Sequence, residues 1–318
     1  MTPSYQIVAM KKKLIWPLIL GLIAGNSVYW GNLLENSALG RWMMLESANE
    51  GFIILAITTG VLTTFLVLFI NYLHKKWQIF LTFVLLLAVL TIFFDYFNLQ
   101  YDFIFKKLPY LLEVGLVNTL WISAVSIVIA CIIGLLAALG KISLHGFWVG
   151  LATFYISFFR GTPLLLQVFL IYQGLPQIGI VLKAEAAGII ALSLGYGAYL
   201  AEIFRAGIEG VNRGQREAAL ALGLSRHQTL YKIILPQAMR LIIPPIGNQF
   251  LSMLKDSSLV SIMGIWELMF LARTQGRAEF KHLEMLITAA LIYWVISMIL
   301  EIGQTWLEKH FKPEPSKR

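Results

Sequence analysis

The chain has 318 residues, 58% of them hydrophobic and 13% charged, with a formal net charge of +8. Soluble domains carry about 25% charged residues, so an ordinary water-soluble fold is excluded. In a membrane protein Lys and Arg report which loops stay in the cytoplasm, so the positive balance does not point to nucleic acid. The single Cys131 rules out an intramolecular disulfide.

Apolar runs of roughly twenty residues, long enough to cross the ~30 Å hydrocarbon core, recur along the chain. They predict eight spans, at 14–30, 52–73, 77–97, 110–139, 163–182, 186–204, 241–268 and 283–303. With Lys11, Lys12 and Lys13 inside and alternation thereafter, 17 of the 25 Lys and Arg residues fall inside and 7 outside, Lys255 lying within the seventh span. This matches the positive-inside bias. Lys75, Arg226 and Lys312 are expected inside, Arg41, Lys106 and Lys183 outside, and both termini in the cytoplasm. The basic start, apolar stretch and Ala24-Gly25 also fit a cleavable signal peptide, against which Trp16, Tyr29 and Trp30 suit interface anchors. Cleavage would leave every downstream orientation unchanged. The chain divides near 107. Residues 1–107 form an extension of three plain spans, 108–310 hold five spans and nearly all the unusual polar features, and 311–318 are a polar cytoplasmic tail.

The long polar loop 205–240 predicts two short helices. Asn212 with Gln215 fits an N-cap with its reciprocal partner, and Gly223 fits the position that ends the helix. Ser225 with Gln228 repeats the capping pattern and starts a second helix, which Pro236 is expected to stop. The first helix presents the small Ala218, Ala219 and Ala221. On the second, Leu230, Ile233 and Ile234 share one apolar face that needs a cover, from the chain's own helix ends, a partner, or both.

These residues carry a resemblance. Glu217-Ala218-Ala219, Gly223, Ile233 and Leu235-Pro236 stand at the spacing of the "EAA loop" in permease subunits of ATP-driven importers. Phe159-Arg160-Gly161-Thr162-Pro163-Leu164-Leu165-Leu166-Gln167 is similar to the FRGTPLLVQ segment of the polar amino-acid group of type I ABC importer permeases, with Leu166 in place of Val. Gly197-Ala198-Tyr199 and Ala201-Glu202-Ile203-Phe204-Arg205 look like that group's segment before the loop. Lys255-Asp256-Ser257-Ser258-Leu259-Val260 is similar to its KDTSLVS segment. The resemblance spans about 108–305. It implies an all-α membrane protein with a five-helix permease core that pairs with a second copy or a sister permease. It further implies an ABC ATPase bound at Glu217–Pro236, an extracytoplasmic solute-binding protein outside, a polar amino acid as solute, and residence in the bacterial inner membrane. Compact members lack a three-span leader, so residues 1–107 depart from the pattern.

Lys255 and Asp256 fall mid-span, where each charge costs about 2.5–3.5 kcal/mol on insertion scales. Adjacent residues point about 100° apart on a helix, so the two cannot simply pair. Either they line a solute path, with Ser257 and Ser258, or one anchors a structural ion pair. Glu202 and Arg205, within one turn of each other, read as a helix-end pair, and Arg160 as the anchor of a helix start at the inner interface, reaching lipid headgroups. Gly134 to Lys141 imitates a phosphate loop, but five residues separate its glycines and Ile142 replaces the Ser or Thr that meets Mg²⁺. No nucleophile–base pair and no metal spacing is present in the sequence, so neither an enzyme nor a cofactor is expected, and ATP belongs to the partner. A self-contained secondary carrier or channel is the alternative, and a membrane scaffold a third reading. Neither accounts for the loop.

Overall fold

The computed structural model describes residues 48–95 and 97–311. The expected span 14–30, Arg41 and Lys312 lie outside the described residues. The chain forms two compact units, Met1–Leu99 and Gln100–Arg318. In the first, α1 (Ala48–Tyr72) and α2 (Lys75–Asp95) follow the spans expected at 52–73 and 77–97.

The second unit begins with α3, a continuous helical stretch Tyr101–Lys141 that holds a π-helical segment, Leu111–Leu116, just after Pro109. Proline removes a donor from the helical ladder, and a local rewinding re-pairs its neighbours. Helix α4 (Gly146–Gly161) and the segment α5 (Leu164–Ile178) follow, bent by 106° at Thr162-Pro163. This corrects the expected single span at 163–182. The residue before a proline is pushed out of the helical region, and Thr162 is extended, with φ −111° and ψ 146°. Helix α6 (Ala184–Glu209) is central and the most deeply buried. Helices α7 (Arg213–Ala221) and α8 (Arg226–Thr229) form the polar loop. Then come α9 (Leu235–Asp256), a 3-10 segment Ser257–Met263, α10 (Leu268–Ala278) and α11 (His282–Phe311). Among the described residues α2, α3, α6 and α11 are long and apolar enough to cross a membrane, and the bent pair α4–α5 makes a fifth. The count of eight is not tested by these five, because the span expected at 14–30 lies outside the described residues.

The α3–α6 crossing is built from small residues. Ala130, Gly134 and Ala138 on α3 meet Gly197, Leu200 and Ala201 on α6. Small residues let backbones approach closely where lipid supplies no hydrophobic drive between helices. This core continues through Phe204, Ile208 and Val211 to Ile234, Ala238 and Ile242. A second cluster joins Leu111 of α3, Leu268 and Leu271 of α10, and Met285 and Ala289 of α11.

The expected span 241–268 is also corrected, because α9 ends at Asp256. Lys255 and Asp256 therefore stand at a helix end. Lys255 in the last turn complements the helix dipole. Pro244 and Pro245 lie inside α9, and Gln304 of α11 donates to the Pro244 carbonyl at 2.8 Å. Beyond the 3-10 segment, Glu267 is fully buried and caps α10, accepting from the amides of Met269 (2.9 Å) and Phe270 (2.6 Å) and from the Tyr293 hydroxyl (2.9 Å). Asn118 donates to the Trp266 carbonyl at 2.7 Å, and Leu268 N–H donates to Thr119 Oγ1 at 3.1 Å, fixing this segment to α3. Glu267→Ala would strand two helix-start amides and remove an acceptor of the Tyr293 hydroxyl, so we expect a loss of about 1–3 kcal/mol. Thermal unfolding in detergent measures it, and an unchanged midpoint would contradict the capping role.

Candidate functional site: coupling loop and polar pocket

Local chemistry sets the loop. The Asn212 side chain accepts from Gly214 N–H at 2.8 Å. The reciprocal Gln215 partner is not formed; its side chain instead accepts from Gln237 of α9 at 3.3 Å. Gly223 has φ +77°, and Gly223 N–H donates to Leu220 O at 2.9 Å while Leu224 N–H donates to Ala219 O at 3.1 Å. That is the Schellman pattern that closes a helix. Ser225 and Gln228 form the full reciprocal capping box, with bonds of 3.2 and 2.9 Å. Pro236 does not stop the second helix. It lies at the second residue of α9, and the π segment Leu230–Ile234 before it runs into α9 with helical backbone, a local rewinding that accommodates the missing N–H.

The apolar face of Leu230, Ile233 and Ile234 is covered by the chain itself, packed into the core with Phe204, Ile208 and Val211. Ala219 is buried as well. What remains outward differs from the expected alanine surface. Glu217, Ala218, Ala221 and Gly223 are exposed, and beside them Leu220 is 54% and Leu222 80% exposed. Arg216 donates to Ile208 O at 2.8 Å, tying α7 to the last turn of α6. A rigid helix pair with an outward apolar edge suits docking by another protein.

Just inside the loop, the inner helix ends share one carboxylate. Glu202 Oε1 accepts from Lys141 Nζ of α3 at 2.9 Å, and Oε2 pairs with Arg205 at 2.6 Å. Arg205 reaches on to Glu209 at 2.7 Å. Arg160, at the end of α4 rather than at a helix start, lies 3.9 Å from Glu202 Oε1 and 5.4 Å from the Tyr199 ring centroid. It folds over the protein instead of extending away from it. The helix-end pair Glu202–Arg205 is thus part of a larger cluster, whose other members are remote in sequence.

The pocket lies between the α4–α5 bend, α6 and α9. It has a volume of about 240 Å³ and includes Phe159, Thr162, Gln167, Tyr196, Tyr199 and Asp256 in its walls. That is below the ~300–1,000 Å³ of drug-sized sites, a scale for a smaller solute. Asp256 accepts from the Tyr196 hydroxyl at 2.7 Å. Gln167, 3% exposed, donates through Nε2 to Phe159 O, Thr162 O and Thr162 Oγ1 at 2.8, 3.1 and 2.9 Å, holding the bend. Its Oε1 has no hydrogen-bond partner among the described residues. Gly195 makes room for it, since a Cβ there would stand 2.9 Å from Oε1.

Asp256 is thus in the pocket, whereas Lys255 is exposed and has no carboxylate within ion-pair distance among the described residues. Ser257 is buried, its hydroxyl donating to Leu254 O at 2.7 Å, and neither it nor Ser258 is a pocket-wall residue. Tyr196, Tyr199, Gln249 and Ser252 are wall residues too. Sequence reasoning missed them, although Tyr196 and Tyr199, three apart on a helix, were a visible signal. No group of three or more metal-ligating side chains occurs among the described residues.

The model of the family described as "Binding-protein-dependent transport system inner membrane component" matches residues 130–313. The arginine transport system permease protein ArtQ of Bacillus subtilis is 40% identical over 68% of this chain and 98% of its own length. The glutamine transport system permease protein GlnP of Escherichia coli is 36% identical over 67% and 99%. Among solved structures, a chain of an amino acid ABC transporter with histidines matches with TM-score 0.64 and 36% identity, over 67% of this chain and 99% of its own. The methionine ABC transporter MetNI in an inward-facing state, at TM-score 0.57 and 18% identity, shares the fold. These relatives transport and do not catalyse; in such systems a separate ATPase hydrolyses ATP. The carrier or channel alternative is set aside. With its buried core, capped loop and polar pocket, the chain belongs to the binding-protein-dependent inner-membrane components, as a permease subunit of an ATP-driven importer.

Proposed function

We propose that the chain moves a polar amino acid inward by alternating access. An ABC ATPase docks on the loop around Glu217, Ala218, Gly223 and the exposed Leu220 and Leu222. A solute-binding protein delivers from outside, and a second copy or a sister permease completes the path. Both termini face the cytoplasm, which puts Arg226 inside with the ATPase and Lys106 and Lys183 outside; cysteine labelling of residue 226 from outside would contradict this orientation.

One observation carries the reading: a pocket within the helix bundle that combines the Asp256 carboxylate, the unpartnered Gln167 Oε1 and aromatic faces. Acceptors and π faces together suit an ammonium group of an amino acid. Lys255, Ser257 and Ser258, next to Asp256 in the chain, are further candidate residues of the same path. Asp256→Asn is expected to keep the unfolding midpoint and ATPase co-purification while uptake falls at least about tenfold, the equivalent of 1.4 kcal/mol. Full uptake by that variant would remove Asp256 from the path.

A further inference from the structure

We infer that Arg160 receives the carboxylate of the transported solute, in exchange for Glu202. This rests on the reading of the Asp256 pocket as the solute site and supplies its opposite pole. Phe159 and Thr162, which bracket Arg160 in sequence, both line the pocket. The Arg160 guanidinium lies over Tyr199, a wall residue, with its carbon 5.4 Å from the ring centroid. Tyr199 neighbours Tyr196, ring centroids 6.2 Å apart, and the Tyr196 hydroxyl reaches Asp256. Arg160 is not itself a pocket-wall residue, but its guanidinium stands over one ring of a two-tyrosine wall whose other ring carries the hydroxyl bound to the anionic Asp256. A solute with both an ammonium and a carboxylate matches that pattern; one lacking the carboxylate does not.

Arg160 is also the loosest cation of its cluster. Lys141 and Arg205 hold the Glu202 oxygens at 2.9 and 2.6 Å, whereas Arg160 stands at 3.9 Å with its side chain 44% exposed. None of its N–H groups makes a hydrogen bond to a described residue. Guanidinium presents five donors in a planar fork suited to bidentate carboxylate binding. A solute carboxylate would fill those donors, and Glu202 would keep its two other cations. Glu202 lies on α6 with Arg205 and Glu209, and Arg216 ties that helix end to the loop. The exchange therefore takes place one short path from the ATPase docking surface.

The test uses the purified permease–ATPase complex without solute-binding protein. Equilibrium binding is measured for each of the proteinogenic L-amino acids and, for those that bind, for the α-carboxamide of the same amino acid. Wild type is expected to prefer acid over amide by about tenfold or more, the scale of one charge-assisted contact. Arg160→Gln should bring that ratio close to one, and Arg160→Lys, which keeps the charge without the fork, should leave an intermediate ratio. Glu202→Gln removes the competitor and should raise the ratio, a sign that a purely structural cluster would not give. Equal binding of acid and amide by wild type, or an unchanged ratio in both Arg160 variants, overturns the assignment while leaving the pocket standing. Binding of no amino acid overturns the pocket and this inference with it.

Discussion

Gly134→Val is expected to prevent α3 and α6 from closing, with a loss of at least about 3 kcal/mol, the upper range for overpacking. A Cβ at Gly134 would stand 2.8 Å from Leu200 Cβ, 2.9 Å from the Gly197 carbonyl oxygen and 3.0 Å from the Ala201 nitrogen. Two of these are backbone atoms, so no rotamer change relieves the clash and a whole helix must shift. The opposite face gives no slack. A Cβ at Gly197 would meet the Tyr155 hydroxyl at 2.6 Å, and that hydroxyl is committed to the Leu194 carbonyl at 2.7 Å. Because α6 is the central helix, separation here opens the core that runs to Ile234 and Ile242. Thermal unfolding and monodispersity in detergent measure the effect. Gly150→Val is the control, since nothing lies within 4 Å of a Cβ there. Equal midpoints for the two variants would contradict the close-packed crossing.

Gly223→Val is expected to leave the helix bundle folded and abolish coupling. The position has φ +77°, with nothing within 4 Å of a Cβ, so the entire penalty is conformational. An L-residue there costs about 1–2 kcal/mol, and β-branched residues are worse still. A local cost of this size is small for the bundle but large for one exposed turn, closed by the bonds Gly223–Leu220 and Leu224–Ala219. Asn tolerates the left-handed region, so Gly223→Asn should retain most function. The readout is ATPase co-purification and uptake. Wild-type values for the Val variant would mean that the turn's geometry does not set docking.

How legible the molecule was depends on the range of the forces involved. The Schellman turn at Gly223 and the capping box at Ser225 were readable because they are settled within a few residues. The apolar face at Leu230, Ile233 and Ile234 was readable as a face, but its cover was not. That cover comes from Phe204, Ile208 and Val211 on another helix. Proline was misjudged at Pro236, since the π segment Leu230–Ile234 before it rewinds the helix and absorbs the missing N–H. Hydropathy cannot locate the α4–α5 bend, because both arms are apolar and only Thr162-Pro163 marks the corner. The end of α9 at Asp256 was hidden likewise, since the 3-10 segment that follows is as apolar as a continuing span. Charge patterns predicted Glu202 with Arg205, three residues apart. Lys141 and Arg160, each far along the chain, join them only through tertiary packing. The pocket is of the same kind, bringing Gln167, Tyr196 and Asp256 together from three separate elements.

The central claim is that this chain is a conduit worked by another protein's ATP hydrolysis. Proteoliposomes containing the permease, with and without its ATPase and with ATP or a non-hydrolysable analogue trapped inside, test it directly. Labelled amino acids delivered by the cognate binding protein should accumulate only where ATPase and hydrolysable ATP are both present. Gly223→Val should abolish that accumulation. Accumulation by the permease alone, driven by an ion gradient, would contradict the account.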